Sequence, residues 1–375
     1  MEVLAHERNL LIGSGHDVDQ VTVVAAEQSG LSSARLGAKA VWNREVAKEL
    51  DDKISQFSPD VIHVHTPFPV MSPAVFRTAA RRGVPALTTL HSFRYSCVAG
   101  TCWRDGHVCE DCVGKTLKLP GIRHRCYHNS IGGSAALTAG LILHTTLGTF
   151  HRDVARYLTL TEFSRRLLVR DGYPADRIVV KPNSVPDPGV RSTPAGEPYI
   201  VFAGRLIEIK GIRTMLHAWE QVRGGLRLRI AGDGELRHLV EQHAASDDSI
   251  DFLGWRSEEE VQDLMAGAVA VLLPSEWYEG LPLVILRSLA VGTPVIVSDL
   301  ENFAADVVGD GTGWSFPVQN SDALARILQH VADDPTRAYG LRDAARNSYE
   351  ARYSPTVDLA RLEAVYEAVL AERQG

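Results

Sequence analysis

Short β-branched runs, each followed by a stretch of helical period, recur along almost the whole chain, and one breaker-rich segment cuts the series in two. Ahead of the cut, VTVVA (Val21–Ala25), VIHVH (Val61–His65), PALTTL (Pro85–Leu90), RYLTL (Arg156–Leu160) and RIVV (Arg177–Val180) read as strands. Glu45–Phe57, Pro73–Arg82 and Glu162–Asp171 carry the helical pattern between them. After the cut come YIVFAG (Tyr199–Gly204), LRLRIAG (Leu226–Gly232), IDFLG (Ile250–Gly254), AVAVLLP (Ala268–Pro274), PVIVS (Pro294–Ser298) and TGWSF (Thr312–Phe316). Such alternation predicts parallel sheets covered by helices, an α/β fold. The cut itself, KPNSVPDPGVRSTPAGEP (Lys181–Pro198), holds too many prolines and glycines for a helix or a central strand, so it predicts an interdomain linker. Two doubly wound domains facing a cleft are expected: residues 1–181, a linker over 182–198, and 199–354. A final helix over 355–375 is expected to pack back across the hinge.

The totals bound the function. The 375 residues allow two or three domains, and a net charge of −7 gives no reason to expect a nucleic-acid partner. No run of 18 apolar residues is present, so no spanning helix is expected. The start, MEVLAHERNLL, is amphipathic and acidic rather than a secretory leader. With an odd count of five cysteines, these features predict a cytoplasmic protein. No GxGxxG follows a strand with an acidic residue about 20 positions on, which argues against a nicotinamide dehydrogenase.

In open parallel sheets, ligands sit where strand ends lead into helix starts. Three such loops lie in the second half. GRLIEIKG (Gly204–Gly211) sets Arg205 and Lys210 at one strand end, a fork and a point charge suited to a diphosphate; the plainer reading is a solvated turn. AGDGEL (Ala231–Leu236) is a second glycine-bearing turn. In SEWYEGLPLVILRSLAVGTPV (Ser275–Val295), Pro282 is expected at the first helical position. The amides of Gly280, Leu281 and Leu283 would then form an anion site. Glu279 would repel a phosphate there, so it is expected to accept hydrogen bonds from sugar hydroxyls.

GRL with KG, then AGDG, then PSEWYEG with GTPV, together with PDVIHVH, TLHSFR, LTEFSRR and KPN, resembles the retaining family-4 glycosyltransferases over nearly the whole chain. That resemblance implies the GT-B fold, two Rossmann-like domains. It implies transfer of a sugar from a nucleotide-diphosphosugar to a glycan or lipid-linked acceptor with retention, and no metal or other cofactor required. By position, Arg205 and Lys210 would hold the donor diphosphate, with the amides of Gly280, Leu281 and Leu283. Glu279 matches the first glutamate of an E-x7-E signature, and His91 matches a histidine that contacts the donor sugar; a hydrogen-bonded strand-end histidine is its plainer reading.

Two departures follow. The second glutamate of the signature falls at position 287, where this chain has Arg287. Arginine carries only donors and cannot accept from a ribose diol, a loss worth roughly 1.5–3 kcal/mol. Arg287 is instead expected to reach a donor phosphate or to pair with Glu276 or Glu279. The second departure is the start: the amino-terminal domain lacks the family's first strand and glycine-rich loop, Gly13 and Gly15 reading as helix caps. A truncated or misassigned start is the expected explanation. A degenerate, weakly active or inactive binding subunit is therefore the alternative to an active enzyme.

All five cysteines fall in one loop, Cys97–Cys126. Cys109 and Cys112 form a CxxC, and with Cys97 and Cys126 they offer four thiolates to a structural zinc ion; free thiols or a redox-labile pair are the alternatives. The loop also carries Lys115, Lys118, Arg123, Arg125 and Trp103. These read either as a basic lip for an anionic or lipid-linked acceptor at the inner face of a membrane, or as a solvated loop.

Overall fold

Parallel pairing organises both halves of the computed structural model, which describes residues 2–23, 32–189, 196–301 and 304–374. Two units emerge, Met1–Lys181 with Leu359–Gly375, and Pro182–Asp358.

The sheet of the first unit runs Ile62–His65, Ala86–Leu90, Arg156–Thr159, Ile178–Val180, all parallel. Phe76, Phe150 and Tyr157 are among its fully buried side chains. Leu362 and Val365, from the last helix Pro355–Gln374, pack with Leu87 and Leu158. The strand expected at Val21–Ala25 is corrected in part: Val21–Val23 form no ladder, and Val24 and Ala25 lie outside the described residues. Val21 and Val23 still pack on the core, so their apolar alternation reports burial rather than pairing. Helix Glu2–Gly13 ends as expected, with Gly15 at φ 95° and the His16 N–H bonded to the Leu11 carbonyl. In the cysteine loop, Trp103–Arg104 and His107–Val108 form an antiparallel hairpin. Its turn, Asp105–Gly106, has positive φ at both positions, which an Asp-Gly pair tolerates.

The sheet of the second unit has six parallel strands in the order Gly313–Pro317, Val295–Asp299, Ala270–Leu273, Tyr199–Ala203, Arg227–Ala231, Ile250–Gly254. The strands at its centre, such as Ala270–Leu273, are buried on both faces, which is why they read as unbroken apolar runs. Chain order reverses between Tyr199–Ala203 and Ala270–Leu273, so the loops leaving these two strands flank the switch point. The expected linker is corrected at its start. Asn183, Ser184 and Val185 are buried within this unit, where the Tyr349 hydroxyl donates to the Val185 carbonyl and Ser184 bonds Asp358 at 2.6 Å. Breakers excluded regular structure there without making the segment loose.

Candidate active site

Three loops of the second unit are stitched side by side at the carboxyl ends of its strands. The Leu206 N–H donates to the Asp233 carbonyl and the Leu236 N–H to Leu206, joining GRLIEIKG to AGDGEL. The Glu276 N–H donates to the Ile209 carbonyl, joining GRLIEIKG to SEWYEG. Glycine is required at these seams. A Cβ on Gly211, at φ 69°, would fall 1.9 Å from the Pro274 carbonyl oxygen, and one on Gly232 would fall 1.9 Å from that of Gly204.

Within this frame Lys210 Nζ lies 2.7 Å from Glu279 Oε1, and the Ser275 hydroxyl donates to the same oxygen. Glu279 is buried, and the Ser275 carbonyl is in turn held by the Ser298 hydroxyl. Glu276 is clasped separately, by the Thr214 hydroxyl at 2.7 Å and the Gln319 amide at 2.9 Å. Arg205 is exposed and carries no ion pair among the described residues. The two cations therefore differ: Arg205 is available to an anion, while Lys210 is shared with Glu279. Ser275, Thr214 and Gln319 were not singled out from the sequence, because their partners lie 4 to 62 positions away and no spacing advertises them.

One expectation is corrected here. Helix Leu283–Ala290 begins one residue later than expected, with Pro282 at its N-cap in extended conformation. Leu283 thus opens the helix, and the Ile285 N–H of its first turn donates to the Pro282 carbonyl. Gly280 and Leu281 lie just ahead of it, Leu281 buried. Arg287 Nη2 lies 2.6 Å from Glu258 Oε1, on the neighbouring helix Glu258–Gly267.

In the first unit, His91 directly follows strand Ala86–Leu90, and its Nε2 lies 2.9 Å from His65 Nδ1. The two rings are nearly parallel, 17° apart. Burial above all, then the charges of His65 and Lys181, lowers the His91 pKa to about 3. His63 is likewise pushed well below the ordinary histidine value, again mainly by burial. His63 bonds the Tyr366 hydroxyl through Nδ1 at 2.8 Å and the Thr89 hydroxyl through Nε2 at 2.7 Å.

In the cysteine loop, Cys97, Cys109, Cys112 and Cys126 line one cavity of ≈ 10 Å³ with His124, while the Cys102 thiol bonds Cys97 instead. That bond, helped by the backbone N–H groups of Cys102, Gly100 and Ala99, lowers Cys97 to about 6 against the opposing effect of burial. All five are free thiols, and no three of their sulfurs come within 4.8 Å of one another. The basic lip is corrected at Lys118. It is buried and bonds Asp171 at 2.7 Å, so it is a structural cation.

Residues 197–334 match the family described as "Glycosyl transferases group 1", and residues 5–184 match "Glycosyl transferase 4-like domain". The chain belongs to the group 1, family 4 glycosyltransferases, with the two-domain, Rossmann-like GT-B fold. Among curated relatives, the uncharacterized glycosyltransferase MJ1607 of Methanocaldococcus jannaschii is 32% identical over 165 residues, 42% of each protein. The chain thus spans under half the length of such relatives in these matches. Among solved structures, sucrose-phosphate synthase of Thermosynechococcus elongatus has a TM-score of 0.69 at 17% identity, covering 98% of this chain and 93% of that one. Anabaena HepE in complex with UDP-glucose has a TM-score of 0.63 at 16% identity, covering 86% and 82%. These likenesses show the fold. Among the described residues no helix is long and apolar enough to cross a membrane.

Proposed function

We propose that the chain transfers a glycosyl group from a nucleotide-diphosphosugar to a glycan or lipid-linked acceptor, with retention and without a required metal. The observation that carries this reading is the grouping of Arg205, the Lys210–Glu279 pair and an apolar helix start on three stitched loops at the switch point of the six-stranded sheet. The bond between the anomeric carbon and the diphosphate oxygen breaks, and a bond to the acceptor oxygen forms on the same face. The acceptor's proton passes to the departing diphosphate. Arg205 and the amides before and within the first turn of helix Leu283–Ala290 stabilise the charge that develops on that leaving group. Lys210 reaches the same phosphates while keeping Glu279 in place, and Glu279 accepts from donor sugar hydroxyls. His91 is read as a donor-sugar contact. HepE holding UDP-glucose supports UDP-sugars as the first donors to try.

Calorimetric titration with UDP, GDP and ADP tests this. One nucleotide should bind at micromolar concentration, and Lys210→Ala should weaken it at least tenfold. No heat with any of the three would refute the reading.

We also propose that Cys97, Cys109, Cys112 and Cys126 hold a structural zinc ion, because these four thiols line a single cavity. A tetrahedral site with bonds near 2.3 Å needs sulfurs about 3.8 Å apart, so the loop must draw inward on binding. Elemental analysis should find one zinc per chain, lost in Cys109→Ser; a metal-free chain with five titratable thiols would refute it.

A further inference from the structure

In the cysteine loop, the run Leu117, Lys118, Leu119 is folded inside out. Lys118 is buried, whereas Leu117 is 53% and Leu119 55% exposed. A surface segment ordinarily does the reverse, because a buried ammonium must be paired and an exposed leucine gains nothing. Here the pairing is complete. Lys118, in the left-handed conformation at φ 43°, sends Nζ to both Asp171 oxygens, at 2.7 and 2.8 Å, and to the Cys112 carbonyl at 3.1 Å. The Gly114 N–H donates to the same carboxylate at 2.6 Å, so Asp171 pins the segment at both ends. That anchor holds the two leucines outward.

They are not isolated. Helix Leu119–Arg123 packs on helix Ile131–Thr146, whose first residue, Ile131, is 55% exposed. Three of the seven large hydrophobic side chains exposed among the described residues therefore fall within residues 117–131. Single exposed leucines are ordinary, but a cluster marks a contact surface. The other exposed positions flanking this edge on helix Ile131–Thr146, Gly132, Ala139 and Thr146, carry no charge, unlike a helix face turned to water.

Charge identifies the partner. Between Asp111 and Asp153 the chain has no acidic residue, although its net charge is −7. Lys115, Arg123 and Arg125 are exposed there and make no ion pair among the described residues. Leu119 and Arg123 stand four positions apart, so they share one face of their helix. The acids closest to this segment are already matched: Glu110 with Arg170, Asp111 with Arg104 and Asp171 with Lys118. A two-fold contact with a second copy would set the three open cations against their own counterparts, which repel. A bilayer with anionic headgroups suits both features, since apolar side chains enter the boundary below the headgroups and cations meet the phosphates.

We propose that Leu117, Leu119 and Ile131, together with Lys115, Arg123 and Arg125, dock the first unit onto an anionic lipid bilayer. This docking stands whichever donor and acceptor the chain uses.

Co-sedimentation of the full chain with lipid vesicles tests it. Vesicles of phosphatidylcholine mixed with phosphatidylglycerol should carry the chain down, and high salt should release it. Phosphatidylcholine alone should hold about tenfold less, or lower still. Each cation near an anionic surface contributes about fivefold, so Lys115→Gln/Arg123→Gln/Arg125→Gln should weaken binding about a hundredfold. Arg44→Gln/Arg223→Gln/Arg326→Gln removes three cations exposed elsewhere and should bind as wild type. Leu117→Ser/Leu119→Ser/Ile131→Ser should lose binding with its melting curve unchanged, because all three side chains lie outside the core. No binding to the mixed vesicles, equal binding to both kinds, or equal loss in the two charge variants would overturn the proposal. A dimer in sedimentation velocity that the serine variant abolishes, without vesicle binding, would overturn it too and assign the face to a second copy.

Discussion

Replacing Lys210 by methionine tests how the donor-side loops hold together. The ammonium lies 2.7 Å from Glu279 Oε1, and the two side chains are only 14% and 9% exposed. At an effective dielectric of 20 the Coulomb attraction at that distance is about 6 kcal/mol, and desolvating the two charges consumes much of it. What does not cancel is the cost of stranding one partner. Lys210→Met removes the cation 2.7 Å from the buried Glu279 carboxylate and should cost about 3 kcal/mol. Glu279→Gln strands the ammonium and should cost roughly 2 kcal/mol. The double variant removes both charges and should cost about 1–2 kcal/mol, a coupling of about 3–4 kcal/mol. Urea titration followed by tryptophan fluorescence, in a Trp42→Phe/Trp103→Phe background, reads this unit, because the other four tryptophans, Trp219, Trp255, Trp277 and Trp314, all fall within Pro182–Asp358. If the double variant loses as much as the two singles summed, to within about 0.5 kcal/mol, the two groups do not hold each other and the argument fails.

Stability should fall with acid. His91 and His63 have folded pKa values below the unfolded value near 6.5, so the unfolded chain binds protons that the native chain does not as pH drops from there toward 3. At pH 5.5 His91 alone should cost about 1.4 kcal/mol; melting curves at pH 7.5 and 5.5 check this, and His63→Gln should flatten the slope. Gly211→Ala should destabilise the second unit by about 3 kcal/mol or more, since its methyl would sit 1.9 Å from the Pro274 carbonyl oxygen at φ 69°; a thermal shift within a degree of wild type would refute it. Arg287→Glu alone would face Glu258, so Arg287→Glu/Glu258→Gln is the informative variant. It should tighten nucleotide binding about tenfold in calorimetry by restoring an acceptor for the ribose diol.

Interior strands were legible because burial on both faces leaves an unbroken apolar run, and Ala270–Leu273 and Val295–Asp299 lie within two residues of where the sequence puts them. The strand at Val21–Ala25 was not, because alternating valines record which side is buried and say nothing of a neighbouring strand. Glu279, Arg205 and Lys210 could be picked out because each sits in a glycine-marked loop after a strand. Their pairing could not: Lys210 and Glu279 are 69 positions apart, and the loop seams that join them are backbone hydrogen bonds. Lys118 looked like a surface cation because its partner Asp171 lies 53 positions on.

Helix Pro355–Gln374 makes the first unit a discontinuous one, built from segments on both sides of Pro182–Asp358. Leu87 and Leu158 await Leu362 and Val365, and His63 awaits the Tyr366 hydroxyl. On the ribosome those partners leave the exit tunnel after Pro182–Asp358 has been made. Pro182–Asp358, by contrast, is contiguous and complete before them, so the later-made unit is free to close first, reversing the usual amino-to-carboxyl order. During synthesis the apolar face of the Ile62–Val180 sheet at Leu87 and Leu158 therefore stays uncovered until helix Pro355–Gln374 docks.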